Sequence, residues 1–347
     1  MARRRFHLIA PAGPAQSFFA ALRLGSAGAF IEYVQHIVGA DYKVTADVTL
    51  LEAHEDAMHG GRTDDVARAA DLQDAFADPA TAAIVAVRGG AWFARTLHRI
   101  DFSVLDRRAS KLALFGFSEL TPLINIVAAS RGAIGVYDMG PAFLTYGLRH
   151  FILTRGQDQL APDQTPEQWV ESRLHDDCAA YFRQVVELLE SRGEGVTLSA
   201  RCVAGSLPDS FEATFVGGNL TVLSTLVGSK FESAIDPMGR WILLEDFNDK
   251  PERFDRFLAH FTLAGYWDRC EGILLGDFHN AHVDLNAAML GILRFHLPSE
   301  RTIPILFSKQ VGHIWPMTAV PFHISGAARR QGDHYAIYWH SSLFAAV

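Results

Sequence analysis

A serine that is to attack a carbonyl needs an exposed hydroxyl, a backbone N–H beside it and a base within reach. The stretch Lys111–Gly132, KLALFGFSELTPLINIVAASRG, offers the first two at Ser118. Leu112–Phe117 is a short apolar run of the kind that forms a buried parallel strand, and apolar residues from Leu120 to Ala128 read as a helix closing at Gly132. A small hydroxyl at such a strand-to-helix turn sits on a sharp bend with the next N–H free, the geometry of a nucleophile elbow. Gly116-Phe117-Ser118-Glu119-Leu120 lacks the second glycine of the usual G-x-S-x-G pattern, and Ser118 reads equally well as the N-cap of a buried helix.

Metal chemistry has weaker support. His279, His282 and Asp284 have an H-x-x-H-x-D spacing that suits zinc on a helix, while His54-Glu55 with His59 misses the H-E-x-x-H pattern. In a chain with 15 histidines, solvated loop residues account for both groups. No glycine-rich phosphate or dinucleotide fingerprint is present, so neither metal nor cofactor is expected. Trp169, Trp267 and Trp315 read as core residues, with stacking on a substrate base as the other role open to them.

The elements that must position Ser118 alternate. Strand Phe6–Ala10 is followed by Pro11-Ala12-Gly13-Pro14, a helix Ala15–Val38 and a strand Val44–Leu51. His59-Gly60-Gly61-Arg62 reads as a turn, and Thr63 or Asp64 as the cap of a helix to about Phe76. Strand Ala82–Val87 runs into Arg88-Gly89-Gly90, then a helix Ala91–Ile100, the Ser118 stretch and a strand Gly135–Met139. This order indicates an α/β fold: an N-terminal open parallel sheet with helices on both faces. Sites in such sheets lie at the carboxyl ends of the strands, where Arg88-Gly89-Gly90 and Ser118 both fall. Residues 1–156 form this part, 157–196 a connector with helices Pro166–Leu174 and Ala179–Arg192, and 197–347 a smaller mixed β-rich domain. Trp241–Leu244 and Gly272–Gly276 read as strands there and Tyr335–Trp339 as strand-like, while Phe215–Leu226 carries Val216-Gly217-Gly218-Asn219-Leu220 and Ile303–Phe307 precedes Gly312-His313.

At 347 residues, 49% of them hydrophobic, the chain can bury a large core. A net charge of −8 with no basic face argues against a nucleic-acid partner, and no stretch approaches a membrane span. Arg3-Arg4-Arg5 imitates the start of an export signal, but Pro11 and Pro14 interrupt the apolar run that follows. Cys178, Cys202 and Cys270 lack metal spacing and read as reduced thiols of a cytoplasmic protein.

Several separated blocks, in order, resemble the LD-carboxypeptidases (muramoyltetrapeptide carboxypeptidases), a serine peptidase family that includes the microcin C immunity hydrolases. They are Ile9-Ala10-Pro11, Arg68-Ala69-Ala70-Asp71-Leu72 with Phe76 and Asp78, Arg88-Gly89-Gly90, Gly116–Thr121 and Gly140-Pro141. Beyond the connector come Gly217-Gly218-Asn219-Leu220, Leu244-Glu245-Asp246, Asp255-Arg256, Gly272–Gly276 and Gly312-His313. The resemblance implies a Ser–His–Glu triad of Ser118, His313 and Glu245. Taken singly, Glu245 reads as a solvated strand-edge acid and His313 as a loop histidine. If the site is catalytic, the oxyanion donors are the N–H of Glu119, just after the nucleophile, and that of Gly90. Arg88 and Gly89 are candidate substrate contacts, Arg88 facing either the Glu119 carboxylate or that of the substrate. Asn219 either bonds substrate or stabilises its own turn, and Asp246 supports its neighbour.

The implied activity is hydrolysis before a terminal D-amino acid in murein tetrapeptides, by a cytoplasmic homodimer. Two alternatives are an amidase of the microcin C kind, acting on peptidyl or aminoacyl nucleotides, and a non-catalytic binding protein on the same fold. Phe117 and Glu119 replace the family's commoner tyrosine and aspartate, and Pro321-Phe322-His323 departs from its usual ending. The connector is long, as in the immunity hydrolases.

Overall fold

The computed structural model describes residues 3–53, 64–281 and 283–344. Five strands build the first sheet: β1 (Arg4–Ile9), β2 (Tyr42–Ala46), β3 (Thr81–Ala86), β4 (Leu112–Gly116) and β5 (Ala133–Tyr137). They are parallel to one another, as expected for a sheet whose central strands are almost wholly apolar and covered on both faces. β3, β4 and β5 are buried at every residue. β4 lies between β3 and β5, so the loops after β3 and β4 emerge side by side at one sheet edge.

The rest of the chain adds β6 (Gly195–Ala204), β7 (Ser210–Asn219), β8 (Trp241–Phe247), β9 (Gly272–Asn280), β10 (Val283–Asp284) and β11 (Ile305–Phe307). These are followed by β12 (Val320–Pro321), β13 (Ser325–Gln331) and β14 (His334–His340). The second sheet has the order β10-β9-β11-β6-β14-β13-β7-β8, and β8 also pairs with β9, so the sheet closes on itself. It is mixed: β7–β8, β8–β9 and β9–β11 are parallel and the other pairs antiparallel. β12 leaves this half altogether and adds to β5 as an antiparallel edge of the first sheet, Val320 opposite Tyr137.

Several local expectations are corrected. The helix expected over Ala15–Val38 is two, Gln16–Ala21 and Ala27–Val38, because Ser26 accepts a bond from Ala29 N–H and starts the second. The strand expected over Val44–Leu51 stops at Ala46, where Asp47 accepts from the N–H groups of Thr49 and Leu50 and opens a helix Val48–Glu52. Ala91–Ile100 forms two 3₁₀ turns, since Trp92 has φ +73°, outside the helical region. The connector carries one helix, Pro166–Leu189, rather than two. Thr165 and Gln168 form a capping box, and the buried stripe continues through Cys178, Phe182 and Val185. The turn at residues 59–62, Thr63, and the histidines 54, 59 and 282 lie outside the described residues.

Candidate active site

β4 delivers Ser118. Phe117 is extended, Ser118–Leu120 form a 3₁₀ turn, and the helix Thr121–Ala128 follows with Pro122 in its first turn. Ser118 itself has φ +62°, a left-handed conformation that a serine adopts only where its surroundings enforce it. Its hydroxyl caps no helix. Two side chains of the following helix fasten this elbow to the second sheet. Asn125 bonds both the N–H and the carbonyl of Gly217, at 3.0 and 2.8 Å. Thr121 Oγ1 donates to the Ser118 carbonyl and accepts from Asn219 N–H. The buried amide of Asn125 thus has its partners, and the nucleophile candidate is held against β7.

The end of β8 brings in Glu245, and the loop after β11 brings in His313. Ser118 Oγ and His313 Nε2 are 3.0 Å apart, and His313 Nδ1 stands 2.8 Å from Glu245 Oε2. The imidazole lies between Phe117, Phe143 and Phe247, with ring centres at 4.3, 5.5 and 4.9 Å. Glu245 is completely buried. Its second oxygen accepts the Tyr137 hydroxyl at 2.6 Å, and Tyr137 Oη accepts Ser118 N–H at 3.4 Å. Burial, with the charge of Glu245 next, holds the Tyr137 hydroxyl protonated well above the ordinary phenol range. A buried carboxylate with a donor on each oxygen can fix the imidazole with Nδ1 protonated and Nε2 free to take the serine proton.

Beside it, Asp246 accepts from Asn219 Nδ2, Phe247 N–H and both donors of Thr221. Burial, then the neighbouring Glu245 charge, pushes its carboxyl up to about 6 despite these bonds.

The loop after β3 faces the serine. A Cβ on Gly89 would stand 3.2 Å from Ser118 Cβ, and one on Gly90 would press within 2.8 Å of the Ala12 carbonyl. Gly90 has φ +144°, which favours glycine, and its N–H has no partner among the described residues. Together these groups border a cavity of about 350 Å³ between Arg88 on one wall and Tyr146 and Phe247 on another. The arrangement suits acyl transfer: a hydroxyl on a bend, a base bonded to it, a buried carboxylate behind the base and an N–H on the facing loop.

Two family models match the chain, the LD-carboxypeptidase N-terminal domain over residues 7–138 and the LD-carboxypeptidase C-terminal domain over residues 212–326. The chain belongs to the LD-carboxypeptidase family. A protein of Bacillus subtilis (strain 168) named a probable murein peptide carboxypeptidase is 27% identical over 263 residues, 75% of this chain and 72% of that one. The muramoyltetrapeptide carboxypeptidase from Oxalobacter formigenes shares the fold with a TM-score of 0.62 at 21% identity, over 96% of this chain and all of that one. The microcin C7 self immunity protein, solved in complex with aspartyl sulfamoyl adenosine, does so with a TM-score of 0.67 at 16% identity, over 98% of each chain.

Within this LD-carboxypeptidase fold the remaining expected contacts separate. Arg88 lines the cavity, where its Nη1 donates to the Pro14 carbonyl, while Glu119 Oε1 accepts from Phe93 N–H. Asn219 is buried, its amide spent on Asp246 and on capping the short helix after β7 through Val222 N–H. None of Trp169, Trp267 and Trp315 lines this cavity. His279 sits on β9 rather than on a helix. Sequence reasoning missed Tyr137, the residue that joins the Ser118 N–H to Glu245. It ends the strand beside β4, at the same carboxyl edge, and that position was the available signal.

Proposed function

We propose that this protein is a serine carboxypeptidase that hydrolyses the bond before a terminal D-amino acid in murein-derived tetrapeptides. In this reading Ser118 is the nucleophile, His313 the general base and Glu245 the orienting carboxylate. The observation that carries it is the unbroken pair of contacts from Ser118 Oγ through His313 to a fully buried Glu245. Ser118 attacks the scissile carbonyl as His313 Nε2 takes its proton, and the imidazolium then protonates the departing amine. Glu245 stabilises that cation without becoming protonated itself. The N–H groups of Gly90 and Glu119 receive the oxyanion, and water activated by His313 hydrolyses the acyl-enzyme. Arg88 uses one N–H on Pro14, leaving guanidinium donors for the terminal carboxylate that an exopeptidase must recognise.

Among the described residues no helix is long and apolar enough to cross a membrane. We read the protein as a cytoplasmic homodimer. The amidase alternative draws on the likeness to the microcin C7 self immunity protein, but a base-stacking tryptophan, the feature that would favour it, does not line this cavity. Incubation with L-Ala-γ-D-Glu-meso-diaminopimelyl-D-Ala should release D-Ala. Cleavage of aspartyl sulfamoyl adenosine alone would overturn the peptidase reading in favour of the amidase.

A further inference from the structure

A second cavity, of about 690 Å³, lies beyond Tyr146 and is bordered by His150, Thr154, Arg155, His279 and Lys309. The reaction steps above use none of these side chains. Its floor is Asp277, which is 1% exposed. One Asp277 oxygen accepts from Arg155 Nη2 at 3.0 Å and Asn286 Nδ2 at 3.2 Å, and the other meets His279 Nδ1 at 2.6 Å. Burial opposes that charge, but the His279 bond, Arg155 and Asn286 outweigh it and hold the Asp277 carboxyl below its usual range. Asp277 therefore acts inward, fixing Arg155 and His279, and offers a ligand little net negative charge.

Two cations, Arg155 and Lys309, face the space. The Arg155 side chain is 31% exposed and only Nη2 has a partner, so the rest of the fork is unengaged among the described residues. Lys309 is exposed and has no partner among the described residues. The His150 ring stacks on His279 at 4.3 Å. Asp284 is the opposing acid on the rim, and one of its oxygens accepts from Asn286 N–H.

This space adjoins the catalytic cavity, with Tyr146 and Phe247 standing between the two. Tyr146 lines the catalytic cavity, and its hydroxyl reaches His279 Nε2 at 3.2 Å. Phe247 packs on His313 at 4.9 Å and on His279 at 5.0 Å. Seven bonds separate the scissile carbonyl from the α-carboxylate of a γ-linked glutamate two residues before it, about 9 Å when extended, the scale of two such ring contacts in series.

We propose that the cavity is a subsite for a peptide carboxylate carried two residues before the scissile bond, held by Arg155 and Lys309 while Asp277 and His279 keep the wall in place. The subsite rests on the peptidase reading. The α-carboxylate of a γ-linked D-glutamate has this position and charge.

The test compares L-Ala-γ-D-Glu-meso-diaminopimelyl-D-Ala with the same peptide carrying that carboxylate as its amide. The wild-type protein should release D-Ala from both at similar kcat, with KM about fivefold lower for the acid, the yield of one exposed charge pair. Lys309→Gln, at an exposed position, leaves Arg155 in place and should narrow the difference to about twofold by raising KM for the acid alone. Equal wild-type KM values, or a Lys309→Gln effect of the same size on both peptides, would overturn the subsite while leaving the peptidase intact. Failure to release D-Ala from either peptide would refute the peptidase reading and the subsite with it.

Discussion

Replacing Glu245 by glutamine tests the relay at its most constrained point. The side chain keeps its shape, but both of its partners are donors: Tyr137 O–H at 2.6 Å and His313 Nδ1 at 2.8 Å. A glutamine has one accepting oxygen for the two of them. If the oxygen stays on Tyr137, the NH₂ faces His313 and selects the tautomer with Nε2 protonated, which cannot take the Ser118 proton. A serine triad whose orienting carboxylate becomes an amide loses about 10⁴ in kcat for this reason. We expect about 10³–10⁴ here, with KM unchanged, measured as D-Ala released under saturating peptide. Adding Tyr137→Phe removes the competing donor, so the glutamine oxygen can turn to His313 and restore the productive tautomer. The double variant should therefore be about tenfold faster than Glu245→Gln alone, although Tyr137→Phe by itself slows the enzyme. A Glu245→Gln loss below tenfold, or a double variant slower than the single one, would refute the reasoning.

Other expected outcomes follow from single positions. Ser118→Gly should abolish turnover and yet raise stability to urea by about 1 kcal/mol, since glycine carries the φ of +62° without strain. Gly90→Ala places a Cβ 2.8 Å from the Ala12 carbonyl; it should cost about 1–3 kcal/mol of stability in the same assay and at least about tenfold in kcat, as the facing N–H is displaced. Asp138 is buried, and its carboxyl is pushed up to about 7 by burial, against a bond from Met139 N–H. Its folded-state value exceeds the unfolded one, so its contribution to stability is complete in acid and is lost as pH rises toward 7. Asp138→Asn should then raise the melting temperature at pH 8 more than at pH 4, by calorimetry.

The carboxyl-edge loops of the first sheet were legible because β3 and β4 are unbroken apolar runs, and such strands must be central and parallel. Breaks at Ser26, Asp47 and Trp92 were not, because each depends on a single cap or backbone angle inside an otherwise apolar stretch. Closure of the second sheet through β8 and β9 could not be read either, since no local pattern encodes which strands meet. The contact between residues 118 and 313 spans 195 positions, and that between 245 and 313 spans 68; only the ordered family blocks pointed to them. β12 was missed because two residues, Val320 and Pro321, carry no periodicity. Tyr137 lies inside the strand expected over Gly135–Met139, and its hydroxyl becomes informative only once Glu245 stands opposite.

The most direct test of the Ser118 relay is mass spectrometry after treatment with a serine-directed fluorophosphonate, followed in parallel with D-Ala release. The account predicts one adduct per chain, on the peptide containing Ser118, formed in step with loss of activity and absent in His313→Ala. Labelling of a different residue as activity falls, or full D-Ala release by protein already modified at Ser118, would contradict it.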